Sequence, residues 1–293
     1  MDLDARIDLV ARTWTPTQQL HPGNIAWHGS GCDSAPPADI NLQGEGWFAE
    51  LWLQDGAPAE VDGHFSPGLA PDDRRAAFEQ IRTVAPQGTI SLASDAPMAD
   101  AVRAHGAREV GGPFFLLQHR DLDRIPQPIL PSGYAIVSAD IAGEHVRVDA
   151  HRQAWAPARI KALLGLTMTG NEPPSGFTLE KYRAMKAVSI YRCELDLVVC
   201  APDGSPAAFA LGWFDGRSKS VLFEPVGTSP DHARRGLSRA VCSAVMSAAR
   251  DLGATQSVVG PRGDEAYPAP RRLYESLGFT TLARTTTLTW GAN

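Results

Sequence analysis

Val221-Leu222-Phe223-Glu224-Pro225-Val226-Gly227-Thr228-Ser229-Pro230-Asp231-His232-Ala233-Arg234-Arg235-Gly236-Leu237-Ser238 is the stretch on which the reading of this chain turns. An apolar strand runs into a loop with two adjacent arginines and a glycine, and the loop opens a long helix. The helix is legible from Leu237, Ala240, Val241, Ala244, Val245, Ala248 and Leu252, which recur at three and four until Gly253 supplies a left-handed cap. A helix start presents unpaired N–H groups and the positive end of its dipole, so a pyrophosphate fits against it. Arg234 and Arg235 add fixed positive charge beside the same anion.

Working outward, Tyr134 to Ser138 reads as a short strand and Glu144 to Trp155 as a helix that Pro157 ends. Thr178 to Val188 is a second helix, opened by a good capping residue. Leu195 to Cys200 and Ala207 to Phe214 form a hairpin around Asp203-Gly204, and Val221 to Thr228 completes an antiparallel meander. Beyond the long helix come a strand over Ser257 to Gly260, a short helix over Pro270 to Leu277 stopped by Gly278, and a Thr-rich hairpin over Phe279 to Trp290. The first half runs in a similar order: strands over Trp47 to Leu53 and Glu60 to Phe65, a helix over Pro71 to Val84, and a strand over Thr89 to Ala93. A helix over Pro97 to His105 ended by Gly106 and a strand over Pro113 to His119 follow. This repetition reads as a divergent internal duplication. Three prolines in Arg124 to Gly133 set the boundary, giving 1–124 as one domain, 125–132 as a linker and 133–293 as the other.

The loop and helix from Pro230 to Ser238 resemble the acetyl-CoA motif of the GNAT superfamily of N-acetyltransferases. The resemblance continues in Leu273-Tyr274-Glu275-Ser276-Leu277-Gly278-Phe279, which matches the late helix and Gly-Phe turn of that family. It implies a mixed α/β fold made of two tandem GNAT-like domains, the first degenerate, in a layout similar to tandem acetyltransferases of the mycothiol synthase kind. The motif's first position is Ala233 where the family has Arg or Gln, and its last is Ser238 where Gly or Ala is usual. Neither change removes a backbone N–H, and Ser238 adds a hydroxyl.

The resemblance implies that the strand splays from its neighbour and that Val226, Gly227 and Thr228 hold the pantetheine arm through main-chain hydrogen bonds, while Arg234, Arg235, Gly236, Leu237 and Ser238 hold the diphosphate. Gly227 is expected to clear space for the arm. Strand alternation places Glu224 on the same face as Val226 and Thr228, where its carboxylate would take the proton of an amine or, alternatively, pair with an arginine for structure. Tyr274 matches the family tyrosine that meets the coenzyme sulfur as general acid, the other reading being an aromatic that packs its helix on the sheet. His151 and Trp155, four apart on the first helix, and Tyr182 on the second are candidates for the acceptor pocket or for packing.

Composition bounds the rest. The 293 residues are 43% hydrophobic and 20% charged, which suits packed cores and prevents classification as disordered. With 27 basic against 33 acidic residues and no basic run, nucleic acid is not expected as a partner. Met1 to Asp8 lacks the pattern of a secretory leader and no apolar run is long enough to span a membrane, so a cytoplasmic enzyme without membrane contact is expected. The four cysteines and eight histidines show no metal-ligand spacing, and no metal is expected. Gly44 to Ala49 spells GxGxxA but precedes a strand, so a dinucleotide site is discarded. In the first half the loop His64 to Pro71 has no Lys or Arg, and Val102 stands where Tyr274 does, so that half is expected to complete the acceptor side or to stiffen the second domain without binding coenzyme.

The expected activity is transfer of an acetyl or related acyl group from acetyl-CoA to a primary amine of a small molecule. Its rivals are a GNAT-fold acyl-thioester decarboxylase, a carrier-protein-dependent acyltransferase and a non-catalytic acyl-CoA sensor.

Overall fold

The computed structural model describes residues 1–32, 36–165 and 175–291. The first half contains α1 (Leu3–Thr13), α2 (Pro22–Gly29), β1 (Ile40–Gly44), β2 (Trp47–Trp52), β3 (Ala59–Phe65), α3 (Pro71–Val84), β4 (Gly88–Ala93), α4 (Pro97–Ala104), β5 (Arg108–Val110) and β6 (Leu116–Asp121). The second contains β7 (Ala135–Ser138), α5 (Ala139–Ala142), α6 (Glu144–Ala154), α7 (Pro157–Leu164), α8 (Leu179–Lys186), β8 (Asp196–Cys200), β9 (Pro206–Asp215) and β10 (Ser220–Thr228). It continues with α9 (Leu237–Asp251), β11 (Gln256–Val259), α10 (Ala269–Ser276) and β12 (Thr280–Trp290). Local chemistry explains most starts. Asp2, His21 and Thr178 accept main-chain N–H groups as N-caps, and prolines open α2, α3, α4 and α7, where the missing donor costs nothing. Pro157 thus does double duty, following the end of α6 and beginning α7, a helix the sequence reading did not anticipate. Nor did it anticipate α1, α2, β1 or β5.

The strands form one sheet in the order β1-β2-β3-β4-β12-β6-β11-β10-β9-β8-β7, with β5 also on β12. The expected meander is present as β8, β9 and β10, paired antiparallel. Phe279 to Trp290, however, is not a hairpin. It is one strand, β12, with an irregularity between Thr281 and Ala283, and it contains no Gly, Asn or Asp that would favour a tight reversal. Thr280–Arg284 pairs with β6 of the first half, and Thr285–Trp290 pairs with β4, with β5 on its other side.

This arrangement exchanges strands between the halves. β6, from the first half, lies between β11 and the start of β12 in the second half's sheet. The end of β12, from the second half, lies between β4 and β5 in the first half's sheet. Residues 125–132 carry no helix or strand, so the proline-rich boundary divides the chain in sequence but not the sheet.

Three apolar clusters hold the layers. α9 and α10 bury Leu237, Val241, Val245, Met246 and Tyr274 against one face of β8–β10, each aliphatic side chain contributing roughly 2 kcal/mol on burial. α3 and α4 pack on β2–β4 together with Leu288 and Trp290 from the end of β12. The third cluster mixes the halves: Ile7, Val10, Trp14 and Trp27 of the first meet Phe177, Tyr182, Phe209 and Trp213 of the second. A Cβ on Gly23 would fall 2.3 Å from Trp213 Cβ, so α2 lies directly on β9. The buried ring of His21 is 2.8 Å from Ser220 Oγ on β10.

Candidate functional site

The parallel pairing of β10 with β11 ends at Leu222↔Val258, while β10 remains paired with β9 as far as Thr228↔Ala208. From Phe223 onward the β11-facing edge of β10 therefore makes no ladder, leaving the main chain of Val226, Gly227 and Thr228 in a V-shaped opening. At the end of β10 a short 3₁₀ turn, Pro230–His232, leads to Arg234 and Gly236, both left-handed at φ 60° and 77°. None of the main-chain N–H groups of residues 234–239 donates to a described residue, and α9 starts without a side-chain cap. Thr228 and Ser238 hydroxyls hydrogen-bond to each other, fixing the helix start to the strand end. A Cβ at Gly236 would meet nothing within 4 Å. The result is a row of donors without a partner among the described residues at the positive end of a 15-residue helix, with room in front of Gly236.

The arginine pair divides its roles. Arg234 is exposed. The Arg235 side chain turns instead onto Tyr134, donating from Nη1 to its hydroxyl at 2.5 Å, and that hydroxyl is also 2.9 Å from His232 Nδ1. The α7 residue Arg159 pairs at 2.5 Å with Asp231, bringing α7 against the turn.

Two expectations at β10 need correction. The register shifts between Phe223 and Val226, so Glu224 and Pro225 sit in a bulge and simple alternation cannot be counted through them. Gly227, moreover, makes room for protein: a Cβ there would lie 2.6 Å from Ala154 Cβ and 2.8 Å from Phe209 Cε1. Its small size lets α6 rest on β10.

Glu224 is half-buried, and its carbonyl accepts from Trp213 Nε1 at 2.7 Å. Tyr274 is buried on α10 between the rings of Phe223 and Phe279. Burial first, then the neighbouring Cys242 and Glu224, pushes its phenol well above the usual tyrosine range. Tyr274 thus packs its helix on the sheet through Phe223 and Phe279. The exchanged strand helps to hold it. Arg120 of β6 donates to the Leu277 carbonyl at the end of α10, just before the left-handed Gly278.

On the acceptor side, His151 is 5% exposed, stacked on Trp155 at 4.7 Å and tilted against Phe177 at 4.5 Å, with Ser175 Oγ 2.9 Å from Nδ1. Burial, then the nearby Arg147 charge, lowers its pKa to about 3, so the ring is neutral. Trp155 is 41% exposed and is the member of this cluster that solvent reaches. Tyr182 is a correction. It is fully buried and donates to Asp196 Oδ2 at 3.1 Å, as Tyr191 does at 3.2 Å. Asp196 in turn receives Arg147 Nε at 2.5 Å, both side chains being wholly buried. Arg147, Asp196, Phe177, Phe209 and the first half's Trp27, 6.0 Å from His151, were missed in the sequence. A buried ion pair leaves no periodic signature, and Trp27 joins the cluster only through tertiary packing.

The first half has the same opening without the same equipment. β3 leaves β4 after Val61↔Ile90, but Pro71 removes a donor from the start of α3, and the loop before it, His64 to Pro71, carries no Lys or Arg. Val102 is fully buried on α4.

Residues 162–279 match the model described as Acetyltransferase (GNAT) family. The fold of the whole chain is similar to that of a tandem GNAT protein. The chain is similar over 99% of its length to 96% of a tandem GNAT protein from the clavulanic acid biosynthesis pathway, at 16% identity and a TM-score of 0.60. A GCN5-related N-acetyltransferase from Sphaerobacter thermophilus aligns with 97% of this chain over 92% of its own, at 17% identity and a TM-score of 0.55. The C-terminal domain of a putative lysylphosphatidylglycerol synthetase from Agrobacterium fabrum aligns with 100% of this chain over 92% of its own, at 13% and 0.57. At such identities the likeness is one of fold, which leaves the acceptor to be argued from the site. Comparison with curated proteins gives no match.

Proposed function

We propose that the second half transfers an acetyl or related acyl group from acetyl-CoA to a primary amine of a small molecule by direct attack. The observation that carries this reading is the V between β10 and β11, which ends on the unpaired donors of residues 234–239. An extended thioester arm can run along the free edge of Val226–Thr228 while its diphosphate meets the turn, aided by Arg234 and the Ser238 hydroxyl. Arg235 contributes its main chain, since its side chain is held by Tyr134.

The attacking amine must lose a proton, and Glu224, half-buried at the bulge, is the carboxylate next to the opening. The leaving thiolate needs stabilising. A phenol shifted upward keeps its proton throughout the physiological range, and full transfer to a thiol of ordinary pKa, about 8.5, would run uphill. Tyr274 therefore serves by hydrogen-bonding the departing sulfur. Holding both reactants in one geometry and offering main-chain N–H groups to the thioester oxygen provide the remaining acceleration.

The test is thiol release from acetyl-CoA across a panel of amines, with mass spectrometry of the products. An acetylated amine supports the reading. Carbon dioxide released from malonyl-CoA in a parallel assay, without an acylated amine, identifies decarboxylation, and thermal stabilisation by acetyl-CoA without any turnover identifies a sensor.

A further inference from the structure

A cavity lies away from the V, between α1, α2 and the sheet of the first half. Its volume is about 790 Å³, within the range of about 300–1,000 Å³ usual for small-molecule sites. Leu20, Phe48, Trp52 and Val61 give it apolar walls. Lys181 of α8 closes it from the second half, so it exists only in the assembled chain.

Its charges are unevenly satisfied. Arg6 is engaged, donating to Glu50 at 2.6 Å and to Asn41 at 2.8 Å while lying over the Phe48 ring. Glu60 at the rim accepts from Gln54. Asp62 stands immediately after the last pair of β3 with β4, where the strand edge opens. One of its oxygens accepts the adjacent Gly63 N–H at 2.8 Å, and the other has no hydrogen bond to a described residue. Among the described lining residues Glu50, Glu60 and Asp62 face Arg6, Lys181 and His28; burial raises the Asp62 pKa against the opposing influence of His28, and a bound cation would act in the same direction as His28.

We infer that this cavity binds a small organic cation, an ammonium group on an apolar body, with the ammonium on Asp62 and the body against Phe48 and Trp52. Aromatic walls favour such a ligand twice, by burying its body and by attracting its charge. The inference does not depend on acetyl transfer in the other half.

Titration calorimetry of the full chain with 2-phenylethylamine, 2-phenylethanol and 3-phenylpropionate tests it. The amine is expected to bind at least about tenfold more tightly than the alcohol or the acid. Asp62→Asn should weaken the amine by about tenfold or more without affecting the alcohol. Ala38→Trp, which fills the cavity from its wall without touching a charge, should weaken amine and alcohol alike and covers the case in which Asp62→Asn fails to fold. Equal binding of the acid or the alcohol, no binding of the amine, or amine affinity unchanged in the folded variants would each overturn the inference.

Discussion

Gly227→Ala distinguishes two reasons for a glycine on β10. The added methyl would stand 2.6 Å from Ala154 Cβ and 2.8 Å from Phe209 Cε1, whereas real Cβ contacts hardly ever fall below 3.0 Å. Ala154 is fixed on α6 and its Cβ has no rotamer to change, so the helix or strand must shift by several tenths of an ångström. Overpacking of this kind costs about 1–3 kcal/mol. At roughly 2–4 °C per kcal/mol for chains of this order, the melting temperature should drop by several degrees. Urea unfolding at constant m-value reads the loss directly as a lower midpoint. Acetyl-CoA affinity, measured by calorimetry on the folded variant, gives the second axis. An unchanged midpoint with weakened acetyl-CoA binding would refute the packing argument and return Gly227 to the role of clearing space for a ligand.

Three further outcomes are expected. Asp196→Ala removes the partner of Arg147 and two tyrosine hydroxyls at once, and leaving that guanidinium buried should cost about 3–5 kcal/mol in urea unfolding; a loss under 1 kcal/mol would contradict the buried network. Tyr274→Phe should lower kcat for acetyl transfer by about 10- to 100-fold with little change in KM for acetyl-CoA, and an unchanged kcat would remove the tyrosine from the reaction. His21 and His151, with folded pKa values near 3, and His64, near 4, bind fewer protons folded than unfolded below pH 6.5. Stability should therefore fall as pH drops from 6.5 toward 4, by on the order of 1 kcal/mol per pH unit for each histidine, and unfolding free energies that stay flat across this window would contradict their buried neutral state.

Legibility in the sequence followed the range of the interactions. The meander, α9 and the α9 turn were readable because apolar spacing, Asp203-Gly204 and Gly236 act over a few residues. The reading of β12 as a hairpin failed because nothing local tells a strand which half it will join. Its threonines suit a strand in either sheet, and the choice is made by β4 and β6, both far away in sequence. Tyr182 looked like a pocket residue because helical spacing gives a face without saying what lies opposite, which here is Asp196. At Glu224 the residue type was informative but the direction was not, since a bulge is invisible to counting by twos. Of the first half's helices α3 and α4 were read but α1 and α2 were not: α2 is short, and what gives both their place, the cover they provide for the second half's sheet, is a long-range contact.

The reciprocal strands also set an order on biosynthesis. A ribosome delivers β4 and β5 long before it delivers Thr285–Trp290, the segment that must lie between them. Through the making of more than half the chain, those two edges face water or a chaperone without their proper neighbour, the condition under which nascent sheets are most exposed to self-association. Completion of the earlier half is thereby deferred until Thr285–Trp290 clears the exit tunnel, and the two halves mature as one event.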